Sequence, residues 1–212
     1  MIAPVPEIVP ADRDAHRRFL DRYYGAARGV YDVTRAYYLL GRDPLLAELA
    51  SEPWARLVEI GVGTGRNLSY LKRARPSALF GGVDASKKML EVAEKRCPFA
   101  RFVLGFAEDA PYADLLGRPP DRVLFSYCLS MVEEPDRALR HARSQLAPSG
   151  EIVVVDFGDL RSAPETMRRA FGAWLETFHV RPLPRPLLER HARRIEEGPL
   201  GYYRIARIPA AV

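Results

Sequence analysis

Leu57-Val58-Glu59-Ile60-Gly61-Val62-Gly63-Thr64-Gly65-Arg66-Asn67 is the stretch that decides the fold of this 212-residue chain. An apolar run carries one acid near its end, and three glycines follow at every second position. Read by period, this is a strand that runs into a tight turn and then into a helix start. Glycine serves two needs there: the backbone must reach φ > 0, and a ligand must touch the main chain with no Cβ in the way. The helix N-terminus that follows offers N–H groups to polar or anionic ligand atoms.

The spacing separates candidate ligands. A dinucleotide fingerprint is G-x-G-x-x-G, and the position of its third glycine is Arg66 here. No Lys-Ser/Thr pair follows, which excludes a Walker loop. Glu59, just ahead of the turn, would repel a pyrophosphate and attract an ammonium group.

Outward from that stretch, strands and helices alternate. Strands are expected over residues 56–60, 78–83, 102–104, 121–127, 151–157 and 202–208. Helices are expected over 66–73, 86–96, 135–146, 164–175 and 186–194, with a short helical piece at 112–116. A βαβ series of this kind is an α/β fold with a parallel sheet and helices on both faces. The second strand ends at Asp84, 19 residues after Gly65, where an acid can hydrogen-bond both ribose hydroxyls of a nucleoside. The fourth expected strand ends at Ser126-Tyr127, at the carboxyl edge where such sheets bind ligands.

Residues 1–11 hold three prolines and read as a flexible arm. Residues 12–50 read as a helical lid: Phe19, Leu20, Tyr23, Tyr24, Val30, Tyr31, Tyr37 and Tyr38 recur at helical spacing, broken by Gly25 and Gly29. Asp43-Pro44 reads as an N-cap followed by proline at the first helical position. Residues 51–212 are the α/β part of a single domain.

The pattern E-x-G-x-G-x-G over Glu59–Gly65 resembles motif I of the class I S-adenosylmethionine-dependent methyltransferases. Ala85-Ser86 with Met89-Leu90 resembles the family's sequence after the ribose acid, and Gly105-Phe106-Ala107-Glu108-Asp109 resembles its G-D-A-E-D loop, with Phe106 in place of an aspartate. The resemblance spans residues 52–157 and implies a Rossmann-like doubly wound, mostly parallel seven-stranded sheet. It implies S-adenosylmethionine as cofactor and S-adenosylhomocysteine as product, with Glu59, Gly61, Gly63, Thr64, Gly65, Asn67, Asp84, Ala85, Met89, Ala107, Glu108 and Ser126 as its binding residues. Met89 is equally suited to core packing at helical spacing, and Glu108 to a solvated loop.

A denser likeness covers residues 24–160. Tyr31-Asp32-Val33-Thr34-Arg35-Ala36-Tyr37-Tyr38-Leu39-Leu40-Gly41-Arg42-Asp43, followed by the glycine stretch, resembles the N-methyltransferase of bacterial betaine-lipid synthesis, which trimethylates diacylglycerylhomoserine. It implies an amine head group as acceptor, with Tyr31 and Tyr127 catalytic and Tyr31, Arg35, Tyr38 and Arg42 binding the substrate. Aromatic faces attract methylated ammonium, and Arg35 or Arg42 could pair with a carboxylate of cofactor or head group. The same residues also suit an amphipathic helix with surface ion pairs. An N- or O-methyltransferase of a soluble small molecule is the alternative, and a cofactor-binding partner subunit without turnover is a third reading.

The net charge is +5, from 28 arginines and 4 lysines against 27 acids. Compositional bias accounts for this, as does a surface that meets anionic lipid. No basic run interleaved with aromatics points to nucleic acid. Cys97 and Cys128 lack ligand spacing, His16, His141, His179 and His191 are scattered, and Asp156 precedes Phe157 where a metal-dependent site would place asparagine, so no metal is expected. The first residues lack the basic and apolar regions of a signal peptide, and no apolar run approaches a membrane span of about 18 residues. The expected location is cytoplasmic, with contact to the inner membrane face open; the sequence leaves the oligomeric state open.

Overall fold

Strands β1 (Arg56–Ile60), β2 (Leu79–Asp84), β4 (Arg122–Ser126) and β5 (Glu151–Phe157) are near-continuous apolar runs, the composition of strands covered on both faces. The computed structural model describes residues 39–178 and 180–210, so the expected arm and residues 12–38 of the expected lid lie outside the described part. With β3 (Arg101–Leu104), β6 (Arg194–Glu197) and β7 (Tyr203–Pro209) the sheet has seven strands in the order β3-β2-β1-β4-β5-β7-β6. All pairings are parallel except the two made by β7, which runs antiparallel to both β5 and β6. The strand order reverses between β1 and β4. In open sheets of this kind ligands bind at such a reversal, outside the carboxyl ends of the strands.

Side chains alternate across the sheet. Leu57, Phe80, Leu124, Val153 and Ile205 face one layer, built on α1 (Arg42–Ser51), α2 (Arg66–Ala74), α3 (Lys87–Arg96) and α5 (Glu165–Glu176). Val58, Ile60, Val83, Val123, Ile152 and Ile208 face the other, built on α4 (Pro135–Gln145) and α6 (Arg185–Glu189). Asp121 aligns the strand starts: its Oδ2 accepts the Ala55 and Arg56 amides, both at 2.9 Å, and its Oδ1 meets the Arg56 guanidinium at 2.7 Å.

Three expectations need correction. Residues 112–116 form turns and no helix: the buried Tyr112 packs in the core while the Gln145 side-chain carbonyl accepts the Tyr112 and Ala113 amides at 3.1 and 2.8 Å. The helix expected over 186–194 ends at Glu189, and Arg194–Glu197 is the edge strand β6. Asp43 does not cap α1. The cap is Gly41, at φ 82°, and Asp43 instead accepts a hydrogen bond from Arg42 Nε at 2.9 Å.

The antiparallel end of the sheet is locked by Arg204, whose side chain is 1% exposed. Its guanidinium donates to Glu197 at 2.9 Å, to Asp159 at 2.6 Å and to the Leu183 carbonyl at 2.7 Å. Breaking such a buried pair leaves partners uncompensated. Arg204→Met is expected to cost about 3 kcal/mol, read as a lower urea midpoint at unchanged slope.

Candidate active site

The turn after β1 is fixed from both sides. The Gly61 and Val62 amides both donate to the Val83 carbonyl, at 2.8 and 3.0 Å, and the Gly63 amide donates to Asp84 Oδ2 at 2.8 Å. Gly61, Gly63 and Gly65 have φ of 66°, 54° and 76°, in the left-handed region that favours glycine. A Cβ on Gly61 would lie 2.5 Å from Cys128 Cβ, whereas one on Gly63 would meet nothing within 4 Å. Gly61 is therefore required by packing as well as conformation, and Gly63 leaves its main chain open to a ligand. Thr64 Oγ1 accepts a hydrogen bond from Arg96 at 2.7 Å.

Beneath this loop Glu59 is buried, 1% exposed, and its Oε1 accepts from Asn67 Nδ2 at 2.7 Å. Its Oε2 is buried without a hydrogen-bond partner. Burial pushes the Glu59 carboxyl up to about 8; Asp84 adds to the rise, and the Asn67 bond and the Arg42 charge oppose it. Asp84 ends β2, half-buried, with Oδ1 accepting the Ser86 amide at 2.9 Å. Ser86 caps α3 and so places Ala85 and Met89; Met89 is buried. Ala107 and Glu108 are buried in the loop after β3, with Glu108 accepting the Glu134 amide at 3.4 Å. Ser126 ends β4, and its Oγ is buried without a partner. The twelve residues expected to bind the cofactor fall at the carboxyl ends of β1 to β4 or in the loops and helix starts that follow them.

This surface fits S-adenosylmethionine. An orphaned acid oxygen suits the ammonium of its methionine end, and the Asp84 carboxylate suits ribose hydroxyls; the expected adenine contacts Met89 and Ala107 are both buried. Among the described residues no group of three His, Cys, Asp or Glu is placed to hold a metal ion. His141 Nε2 pairs with the Ala110 carbonyl and His191 Nε2 with Asp136, each at 2.8 Å.

Next to the donor surface the chain is aromatic. Tyr127 has φ 53°, a backbone conformation that disfavours a side chain, and its ring is buried. Its hydroxyl donates to the Leu40 carbonyl, and burial pushes its pKa well up. Phe157 lies 4.7 Å from the Tyr127 ring and about 6 Å from Phe171, Trp174 and Tyr202, between centroids. Phe171, Trp174 and Phe178 repeat at helical spacing along and just beyond α5, a signal present in the sequence. The loop after β5 is pinned by backbone bonds from Gly158 to Tyr202 (2.9 Å) and from Leu160 to Gly201 (3.1 Å). Cys128 donates to the Ile60 carbonyl at 3.0 Å, and burial pushes its thiol up, away from a reactive thiolate. Asp156 is buried and accepts the Ser130 and Phe157 amides at 2.9 and 2.8 Å. Arg42, at the start of α1, is 4% exposed. The other expected acceptor residues, Tyr31, Arg35 and Tyr38, lie outside the described residues.

The strand order with one antiparallel strand, the glycine loop and the ribose acid define the class I S-adenosylmethionine-dependent methyltransferase fold. Residues 58–154 match the family described as a methyltransferase domain, so this part of the chain is a methyltransferase domain of that class. The chain is 32% identical over 101 residues to demethylmenaquinone methyltransferase of Thermotoga maritima, a match that covers 48% of this chain and 43% of that one. It is 29% identical over 161 residues to malonyl-[acyl-carrier protein] O-methyltransferase of Methylococcus capsulatus, covering 74% of this chain and 58% of that one. The chain thus spans about half the length of these curated relatives. A solved S-adenosylmethionine-dependent methyltransferase of Thermotoga maritima shares the fold at a TM-score of 0.66 and 22% identity, over 92% of this chain and 97% of that one.

Two measurements test this site. Burial holds the Glu59 carboxyl at about 8 against 4.5 for an unburied one, so its protonation stabilises the folded chain fully below about pH 4.5, and this contribution is lost as pH rises through about 8. The melting temperature of the parent chain is expected to fall relative to Glu59→Gln between those limits. If an ammonium ionises Glu59, binding S-adenosylhomocysteine at pH 7 releases a proton, seen by calorimetry in buffers of different ionisation enthalpy, and Glu59→Gln abolishes the release. Gly61→Ala, at positive φ and against Cys128, is expected to lose cofactor binding in the same titration, whereas the opening over Gly63 makes Gly63→Ala the milder change.

Proposed function

We propose that the chain transfers a methyl group from S-adenosylmethionine to the nitrogen of an amine head group such as that of a betaine lipid. The observation that carries this reading is the run of aromatic rings from Tyr127 and Phe157 to Phe171, Trp174 and Tyr202, beside the glycine loop. An aromatic surface attracts methylated ammonium by about 0.5–2 kcal/mol per contact. Leu40, Met167 and Leu200 are 48%, 47% and 49% exposed on the segments that border these rings, which suits an acceptor presented at a lipid surface. Among the described residues no helix is long and apolar enough to cross a membrane, so such contact would be peripheral.

The cofactor supplies an already activated methyl group on a sulfonium. What the protein supplies is alignment and exclusion of water. Glu59 and the glycine loop would hold the methionine end and Asp84 the ribose, with Ser126 and Tyr127 at the tip of β4 beside them. An amine needs only its lone pair in line with the sulfonium, and a solvent molecule can take the proton after transfer.

Methyl transfer to oxygen or carbon of a soluble small molecule is the second reading, favoured by the printed activities of the curated relatives. Radiolabelled methyl transfer separates the two. Label is expected in diacylglycerylhomoserine in vesicles, and incorporation confined to soluble acids or quinols would instead support the second reading. Asp84→Ala is expected to weaken cofactor binding about tenfold to a hundredfold by removing a charged hydrogen-bond acceptor.

A further inference from the structure

We propose that Asp156 is a positioning residue for methyl transfer: its carboxylate sets the turn after β4, and through that turn it holds the glycine loop and the segment between α5 and α6 in one register. Asp156 is 1% exposed near the end of β5, after three valines, where an apolar side chain would bury without the cost of a charge. Its Oδ2 accepts the Ser130 amide at 2.9 Å, and its Oδ1 accepts the Phe157 amide at 2.8 Å. Burial raises its pKa, and these bonds act against the rise. Ser130 lies in the short helical turn Leu129–Met131, and the first amides of such a turn find no partner within it. The acid supplies that partner from across the sheet.

β5 grips the turn twice. The Tyr127 amide donates to the Val155 carbonyl at 2.8 Å, and the next residue along β5 holds Ser130. Cys128 stands between these two holds. Its thiol donates to the Ile60 carbonyl at 3.0 Å, and its Cβ lies 2.5 Å from where a Cβ on Gly61 would be. On the far side the Ser130 carbonyl accepts the Arg181 amide at 3.0 Å, and Arg181 belongs to the segment between α5 and α6. One carboxylate thus governs a turn that abuts the glycine loop at one end and the chain beyond the aromatic wall at the other. Methyl transfer demands such a link, because the reacting groups must be held within about 0.5 Å of the productive geometry. Nothing in this link depends on which acceptor is methylated.

The test uses the full chain with Asp156→Asn. Asparagine keeps the size but only one acceptor oxygen, so in either orientation one of the two amides faces a donor. Asp156→Ser opposes no donor and serves if the asparagine variant does not fold. Cys128→Ala removes the thiol that lies against Gly61. Each variant, and Asp156→Asn combined with Cys128→Ala, is titrated by calorimetry with S-adenosylhomocysteine. Hydrogen exchange at the Arg181 amide is then followed with and without that ligand.

Asp156→Asn is expected to weaken binding about tenfold at unchanged stoichiometry, and the double variant to bind no more weakly than Asp156→Asn alone, since both changes cut one path. The ligand is expected to slow exchange at Arg181 in the parent chain and not in Asp156→Asn. An acid that only supports the fold would lower the stoichiometry and leave the affinity of the folded remainder intact. That result overturns the proposal, as do losses that multiply in the double variant or exchange at Arg181 that ignores the ligand in the parent chain. The last reading needs no variant, so it decides even if neither substitution at Asp156 folds.

Discussion

The hydrogen bond from the Gly63 amide to the Asp84 carboxylate is the constraint on which the site depends. It joins the tips of β1 and β2, so the turn and the acid expected to receive the cofactor's amino-acid end and its ribose are one rigid piece. The Val83 carbonyl, shared by the amides of Gly61 and Val62, closes the same crossing from the other side. Three positive φ angles in five residues are tolerated because these bonds and the contacts of Gly61 with Cys128 and of Gly65 with Cys97 leave the chain no other path. Glu59 is then held below the loop by Asn67, the second residue of the helix that the loop begins. Loop, acid and helix start therefore move together or not at all.

The neighbouring wall, proposed to face the acceptor, is built on a different principle. Where the glycine loop uses backbone bonds, this wall uses aromatic rings at centroid distances of 4.7 to 6.2 Å, mostly edge to face. These rings pack on one another, so they form a continuous wall and leave no cage between them. Tyr127 belongs to both sides. Its backbone amide bonds to Val155 in the sheet at 2.8 Å, its strained φ turns the ring toward Phe157, and its hydroxyl ties down Leu40. One residue thereby fixes the spacing between the donor loop and the segment that leads into Arg42.

The glycine turn and its flanking acids were legible because each of their requirements is local. Glycines at alternate positions, an acid ahead of them and another at the next strand tip lie within 26 residues, and backbone geometry dictates the residue types. The buried parallel strands were equally legible, since burial on both faces leaves an unbroken apolar run. β6 was not. Arg194-Ile195-Glu196-Glu197 is an edge strand with half its residues exposed, and what makes it a strand is its pairing with β7, not its own pattern. The turn at 112–116 failed for a like reason, because the Gln145 side chain, about 30 residues on, satisfies its amides. The acceptor wall depends on α5 meeting β5 and the start of β7, a contact that helical spacing in α5 hints at but cannot specify. Arg42 was one of several basic residues ahead of the glycine loop; its burial distinguishes it, and burial is a property of the folded chain alone.

The placement of β7 has a consequence for how the molecule comes to exist. β7 follows all other described strands in sequence, yet it sits inside the sheet between β5 and β6. During synthesis β5 must therefore wait, with one row of amides and carbonyls unpaired, until about 50 further residues have left the ribosome. Such sequence-distant pairing slows folding, and an open apolar margin invites association between nascent chains. The half from β1 to β4 faces no such delay, so the glycine turn and its flanking acids can be set before α5 and β7 complete the aromatic wall beside them.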